Sequence, residues 1–469
     1  MSALISGRRA QWGACVLALA LSGLISVPAA IGAASGPTTG RVSVAGDGTQ
    51  GNFPSGAGAI SADGRFVAFE SEATNLVPSD TNRLTAGGSD VFVRDRRTGV
   101  TTRVSVDSAG AQGAPTGHGA FDPAISDDGR YVAFQSNFTN LVPDDTNGQP
   151  DVFVHDRLTG ATERVSVSSL GDQANANSYN PSISADGRYV AFESPAAELV
   201  VCRPVDPLST VCAPGSSDTN SAEDIFVHDR QTATTTRVSV ASDGTQAGGN
   251  DFPARSCSSC ASRSPSISAD GRHVAFYSRA PDLVPADTNG VVDVFVHDRQ
   301  TGATTRVSLA GDGSQGDDES WYPEISPDGR YVAYSSAASN LVPGDTNTAL
   351  DVFVHDRQTG ATTRVNLASD GQQATGASTS ASGFESTESG AGPLSADGRY
   401  VTFESYATNL VAGDTNGRPD VFLHDRQTGV TSRVSESSDG AQGNSDSTIP
   451  VDISAEGRYV TFTSSATNL

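Results

Sequence analysis

Apolar and polar positions alternate in short bursts along most of this chain, and the bursts recur in a fixed order. Between Ile125 and Val167 the chain reads ISDDGRYVAFQSNFTNLVPDDTNGQPDVFVHDRLTGATERVSV. Period-two alternation of β-branched and aromatic residues between turn signals predicts four strands there. They lie around Pro123 to Ser126, at Tyr131 to Ser136, at Val152 to Asp156 and at Thr162 to Val167. Asp128-Gly129 turns the first strand into the second, because Gly accepts positive φ and Asp hydrogen-bonds its own backbone; Thr159-Gly160 turns the third into the fourth. No stretch shows sustained helical periodicity.

The same order returns along the chain. Asp-Gly-Arg stands at Asp63, Asp128, Asp186, Asp270, Asp328 and Asp397, with a Glu in its place at Glu456. Four antiparallel strands repeated about seven times define an all-β β-propeller, in which each blade needs its neighbours to cover its faces. The repeat cores run 60–106, 125–167, 183–240, 267–309, 325–367 and 394–436, with a partial copy at 453–469. Arg41-Val42-Ser43-Val44 matches the end of a repeat, so the last blade is predicted to be split between the termini and closed by 41–44. Seven blades are expected, with six as the alternative, and 35–469 is expected to be one domain. The third strand of the last blade has no counterpart, so either that blade is three-stranded or the chain is truncated.

The runs S-x-D-G-R-Y-V-A-F, D-V-F-V-H-D and T-G-x-T-T-R-V resemble the WD-like propeller repeats of TolB-type proteins over nearly the whole chain after residue 34. The resemblance implies the propeller fold and an exported, TolB-like protein of the periplasm or cell envelope. Fold alone does not carry an activity, since propellers host many.

Composition narrows the partners. The formal net charge is -24, and every basic residue is Arg. An acidic chain without basic patches argues against nucleic-acid binding, and the lack of Lys removes Schiff-base chemistry. Arg8 and Arg9 precede an apolar run from about Cys15 to Val27 and small residues at Ala29, Ala30, Ala33 and Ala34, so 1–34 reads as a signal peptide. The run is short of the roughly 20 residues of a spanning helix. The expected product is exported, secreted or periplasmic, monomeric and without a membrane span. Cys202, Cys212, Cys257 and Cys260 would remain, as two disulfides or as a zinc site built around the Cys257/Cys260 pair.

Long segments fall on one face of such a disc. The tight turns share one face; the Cys202–Cys212 insertion, the Cys257/Cys260 connection and the stretch from Ala374 to Gly392 belong to the other. Binding residues concentrate on loops held by a rigid scaffold, so a protein or cell-envelope ligand is expected on the elaborated face.

The sharpest recurring constellation is Asp, Asn and Asp at positions 0, +2 and +6. It stands at Asp145/Asn147/Asp151, Asp218/Asn220/Asp224, Asp287/Asn289/Asp293, Asp345/Asn347/Asp351 and Asp414/Asn416/Asp420. The first copy has Asp80, Asn82 and a displaced Asp90. Hard oxygen ligands at close range suit calcium, and the arrangement resembles part of the calcium loops of integrin-type propellers without their first acid. An Asx-turn that shapes the loop is the other reading. Five histidines share one repeat box (His155, His228, His297, His355, His424), with Arg94 in the first copy; His118 lies outside it.

For catalysis the informative positions are departures from the repeat. Before the Ile of each innermost strand stand Ala59, Ala124, Ser182, Ser266, Glu324, Pro393 and Asp452. Two acids at one register near the channel fit a general acid/base pair or a metal site, and their usual role is to line a wet channel. A non-enzymatic binding scaffold is thus the expected function. The alternative is a metal-dependent hydrolase or lyase acting on sugars or lactones at the channel mouth. No G-x-S-x-G elbow is present.

Overall fold

The predicted alternation folds as short antiparallel strands because each apolar face is covered by the next copy of the same pattern. The computed structural model describes residues 37–81, 88–114, 119–200, 218, 220, 222–248, 260–376, 378–379 and 394–469. The expected signal peptide, Asn82, His118, Cys202, Cys212, Cys257, Pro393 and most of the stretch from Ala374 to Gly392 lie outside these residues. Within the unit Thr39–Leu469 the strands form six four-stranded sheets and one two-stranded sheet, arranged as a seven-bladed β-propeller. A single 3₁₀ turn, Ala197–Leu199, is the only helix-like element among the described residues, and none of their helices is long and apolar enough to cross a membrane.

Blade 2 shows the design. Its strands are Ala120–Ile125, Tyr131–Ser136, Asp151–Asp156 and Thr162–Arg164. The second matches the sequence expectation. The first starts earlier, because a bulge between Phe121 and Ala124 lets it continue pairing on the far side of Pro123. The fourth ends at Arg164, where the chain leaves for the next blade. The central strands carry the core: Phe134 and Phe153 are stacked with centroids 5.9 Å apart, and both are fully buried. Equivalent pairs recur in blades 1 to 6.

The Asp-Gly-Arg turn locks each blade and joins it to the next. Ser126 Oγ donates to Asp128 Oδ1 (2.7 Å), and the Arg130 guanidinium reaches across to Asp156 with two bonds of 2.9 and 2.7 Å. That pairing holds the Asp156 carboxyl far below the usual carboxylate range. Gly129 has φ +71°, and a Cβ there would sit 2.2 Å from the Phe66 ring of blade 1. Only glycine fits a position that is both left-handed and in ring contact. The contact repeats at every junction and closes the circle at Gly64 against Tyr459 of blade 7.

The box histidines are structural. His155 Nδ1 lies 2.9 Å from Thr162 Oγ1, whose hydroxyl donates to the Val106 carbonyl of the preceding blade. The threonine bond recurs at all seven junctions, from Thr101, Thr162, Thr235, Thr304, Thr362, Thr431 and, at the closure, Thr39 to Glu436. Residues 39–44 therefore stand where a fourth strand stands elsewhere, without forming a ladder with Val460–Ser464. Blade 7 is two-stranded among the described residues, rather than three-stranded. Arg94, which replaces the histidine in blade 1, donates to the carbonyls of Val44 (3.3 Å) and Ala45 (3.0 Å). The one departure in the box sits at the ring closure and strengthens it.

Candidate functional site

Where copies hold each other they agree; where they face the central channel they differ. The innermost strands surround a cavity of about 250 Å³ lined by residues of all seven blades. At the end carrying the Asp-Gly-Arg turns it is rimmed by Ala62, Asp127, Ala185, Ala269, Pro327, Ala396 and Ala455. Backbone bonds run from one rim residue to the next (Ala62 N to Asp127 O, 3.1 Å; Ala455 N to Ala62 O, 3.1 Å) and break only between Pro327 and Ala396, where proline has no N–H. This end is uniform and tied together by main chain.

One layer inward lie Glu324 and Asp452, both lining the cavity and half-buried. Asp452 accepts the N–H of Ile60 through Oδ2 (2.7 Å) and of Ile453 through Oδ1 (2.7 Å). Ser182 and Ser266 play the same part for Ile267 and Ile325, each at 3.1 Å. Asp452 Oδ2 thus ties blade 7 to blade 1 while Oδ1 is held by its own strand, although burial pushes the group up to about 7. Glu324 is raised to about 8, chiefly by burial and then by the Asp452 charge. The structure brings the two acids to one cavity and gives one of them a structural duty.

The opposite mouth, on the face of the inter-blade connections, is where the copies diverge most. In blades 2 to 5 the first strand bulges at a residue before proline: Asp122 (φ 50°), Asn180 (55°), Ser264 (51°) and Tyr322 (51°). Left-handed non-glycine residues cost of order 1 kcal/mol or more and persist where their surroundings over-determine them, and bulges re-aim side chains. The surroundings are side chains of the preceding blade. Asn180 N donates to Gln135 Oε1 (3.1 Å) and Ser264 N to Glu193 Oε2 (2.8 Å).

Blades 3 to 5 build a cluster there that no repeat predicts. Glu193 is 2% exposed, and Asn180 Nδ2 donates to its Oε1 at 2.8 Å. Burial lifts it to about 8, against the lowering effect of these bonds. Arg263 pairs with Glu223 at 3.2 Å, and the Tyr179 hydroxyl donates to Glu223 at 3.4 Å. Tyr277 and Tyr322 meet edge to face with centroids 5.6 Å apart. Burial, reinforced by the acids, raises the Tyr179 hydroxyl; burial, then the facing Tyr322, raises that of Tyr277. The arrangement offers aromatic walls and an exposed guanidinium around a buried carboxyl that holds Asn180 and Ser264 in place, which together suit a ligand with both polar groups and apolar faces. The signal in the sequence was the changing dipeptide before each proline (Phe121-Asp122, Tyr179-Asn180, Arg263-Ser264, Trp321-Tyr322).

The Asp-Asn-Asp loops join the second strand to the third and do not line the channel cavity. Each pair of aspartates converges on an arginine from the end of the fourth strand. Arg306 lies 3.1 Å from Asp287 and 3.0 Å from Asp293; Arg364 lies 3.0 Å from both Asp345 and Asp351. Arg164 serves Asp145 and Asp151, Arg237 serves Asp218 and Asp224, and Arg103 serves Asp80 and Asp90. In blade 6 Arg433 reaches Asp420, while Gln442 bridges Asp414 and Asp420. The asparagines close the loops: Asn147, Asn220, Asn289, Asn347 and Asn416 each donate to a carbonyl 27 residues on. Among the described residues, no group of three or more His, Cys, Asp or Glu side chains is arranged to hold a metal ion.

No family model matches the chain, and no curated protein does. Solved structures do match. TolB from Acinetobacter baumannii is 15% identical with a TM-score of 0.38, over 75% of this chain and 60% of that one. An oligogalacturonate lyase in complex with manganese is 14% identical with a TM-score of 0.46, over 88% and 86%. A prolyl endopeptidase is 12% identical with a TM-score of 0.45, over 81% and 42%. The chain spans 60% of the length of that TolB. At these identities the likeness is one of propeller fold, and it does not divide binding proteins from enzymes.

Proposed function

We propose that this protein is an exported, TolB-like propeller scaffold that binds a protein or cell-envelope ligand at the channel mouth on its loop-bearing face. The observation that carries the reading is the run of strained bulges at that mouth in blades 2 to 5, each presenting a different side chain from an otherwise repeated frame. Binding residues held on a rigid scaffold are expected to look like this. Export is supported by the N-terminal pattern of charged, apolar and small residues, the pattern of a signal peptide.

The enzyme reading, a hydrolase or lyase on sugars or lactones, draws on one observation: Glu324 faces the cavity with its acidity tuned to about 8, a value suited to a general acid. Binding of the mature protein to isolated envelope of the producing cells tests the first reading. Tyr179→Ala with Arg263→Ala should weaken it about tenfold or more, as central contacts do, while the melting temperature stays close to wild type. Full binding by that variant would remove the channel mouth from consideration. A turnover that vanishes with Glu324→Gln would establish the second reading instead.

A further inference from the structure

Every junction between blades is packed by a ring at the start of the second strand, laid against the glycine of the next Asp-Gly-Arg turn. The rings are Phe66, Tyr131, Tyr189, Tyr331, Tyr400 and Tyr459, but at the junction of blades 4 and 5 the ring is His273. All six aromatic rings lie under the arginine of their own turn, and five of them also under an arginine from the end of the next blade's third strand. Tyr131 is held in this way between Arg130 (4.6 Å) and Arg230 (4.4 Å), and Tyr189 between Arg188 (4.6 Å) and Arg299 (4.5 Å). A guanidinium is attracted by the face of a neutral aromatic ring. It repels an imidazolium.

The same two arginines stand at His273. Arg272 is fixed by two bonds to Asp298 (2.9 and 2.7 Å), as Arg130 is to Asp156, and Arg357 donates to the Gly329 carbonyl, as Arg299 does to that of Gly271. A Cβ at Gly329 would fall on His273 Nδ1, so the imidazole touches the turn of blade 5. Nδ1 has no hydrogen-bond partner among the described residues, and the side chain is 14% exposed. The charged groups around the ring are Arg272 and Asp270 from its own turn, Asp298 from the third strand, and Asp328 and Arg357 from blade 5. Asp298 Oδ2 lies 3.9 Å from Nε2 and already serves Arg272. Asp270 and Asp328 are bonded to the serines of their own turns. Burial, then the Arg357 charge, holds the imidazole below its ordinary value of 6.5, against the pull of Asp298.

The strand that begins at this ring ends at the channel mouth. His273–Ser278 carries Tyr277, whose ring meets Tyr322 of blade 5 edge to face at 5.6 Å. A main-chain bond ties blades 4 and 5 at each end of the junction: Ser320 N to Val292 O (2.8 Å) at the mouth and Ala269 N to Pro327 O (3.0 Å) at the turns. We propose that this junction is an acid-sensitive joint: when His273 takes a proton, blades 4 and 5 loosen and the Tyr277–Tyr322 wall opens, releasing what the mouth holds. The release rests on the mouth being the binding site; the joint itself does not. The native ring resists a proton that the unfolded chain accepts near 6.5, so stability falls as pH falls below that value.

The test compares the whole protein with His273→Tyr, which restores the common ring, between about pH 7.5 and 5.5. Every other titrating group is shared, so the difference between the two melting profiles belongs to His273. The wild type should lose several degrees more than the variant toward acid. Amide exchange, corrected for its intrinsic rate, should show Ala269 and Ser320 losing about tenfold in protection in acid in the wild type alone. Ala62 and Ala185, which make the equivalent turn-end bonds at other junctions, should keep theirs. Parallel melting profiles would overturn the proposal, as would protection lost equally at all junctions or kept at Ser320. Binding to isolated envelope should weaken about tenfold in acid for the wild type and not for the variant. Wild-type binding that is equal at both pH values would also overturn it. Envelope that binds at neither pH removes the mouth as a binding site instead, and exchange at Ala269 and Ser320 then decides the joint.

Discussion

At the residue scale the most informative positions are those where one copy breaks the common rule. Arg94 replaces a histidine only in blade 1, and Asp452 replaces a serine or alanine only in blade 7. Both breaks fall at the junction between the chain ends. Glu324 is different, since no backbone donor among the described residues claims its carboxyl in the way Ile60 and Ile453 claim Asp452. Its proton is held to about 8 in the fold against 4.5 for a free side chain. The native state therefore binds more protons than the unfolded state between those values, and stability falls as pH rises through that window. Glu324→Gln should remove part of that slope and melt higher than wild type at pH 9, read by calorimetry across pH 5 to 9. An unchanged profile would mean that Glu324 ionises freely in the channel.

At the element scale blades 1 to 6 are each held by two arginine clamps rather than by propensity alone. One grips the last Asp of the third strand from the Asp-Gly-Arg turn. The other draws together the first Asp of that strand and the preceding loop, with Gln and Asn closing the remaining lone pairs. Two partly buried carboxylates in contact would repel one another, and the buried guanidinium is what makes their approach tolerable. Burial still pushes Asp145 and Asp287 upward, and lifts Asp224 to about 6. We propose that these loops are ion-pair clamps, with the arginine standing where a cation would. A melt in millimolar calcium should then match one in chelator to within about one degree, because a ligand stabilises only what it binds. A shift of several degrees with calcium and none with magnesium, lost in Asp287→Ala, Asp293→Ala, would restore the calcium reading.

At the scale of the whole molecule, stability depends on closing a circle. Six junctions join consecutive copies, and the seventh joins blade 7 to blade 1, where Ile60 and Asp452 are 392 residues apart in sequence; residues 39–44 are held there by Thr101 to Val44 and against blade 6 by Thr39 to Glu436. A ring open at one junction leaves two blade faces to water, so the closure limits the cooperativity of the fold. Arg94→His would restore the common box while losing the two bonds to the Val44 and Ala45 carbonyls. A loss of about 1–3 kcal/mol is expected for charge-assisted bonds to main chain, read from urea unfolding. No loss would show that the threonine bonds alone hold the N-terminal segment.

The repeat by itself determined the strands and the buried faces, and put the blade count at seven with six as the alternative, which the seven sheets of the structure decided. Each of these follows from local alternation and from turns such as Asp128-Gly129, and a pattern read seven times averages out its own exceptions. It also marked Glu324, Asp452 and Arg94 as exceptions, without saying what they touch. Only the tertiary structure decided that. The Asp-Asn-Asp loops meet their arginine across a strand pairing, Asp452 meets Ile60 from the other end of the chain, and Tyr179, Glu193, Arg263 and Tyr322 converge from three blades. Sequence spacing carries no measure of such distances, because what brings these groups together is the closing of the ring.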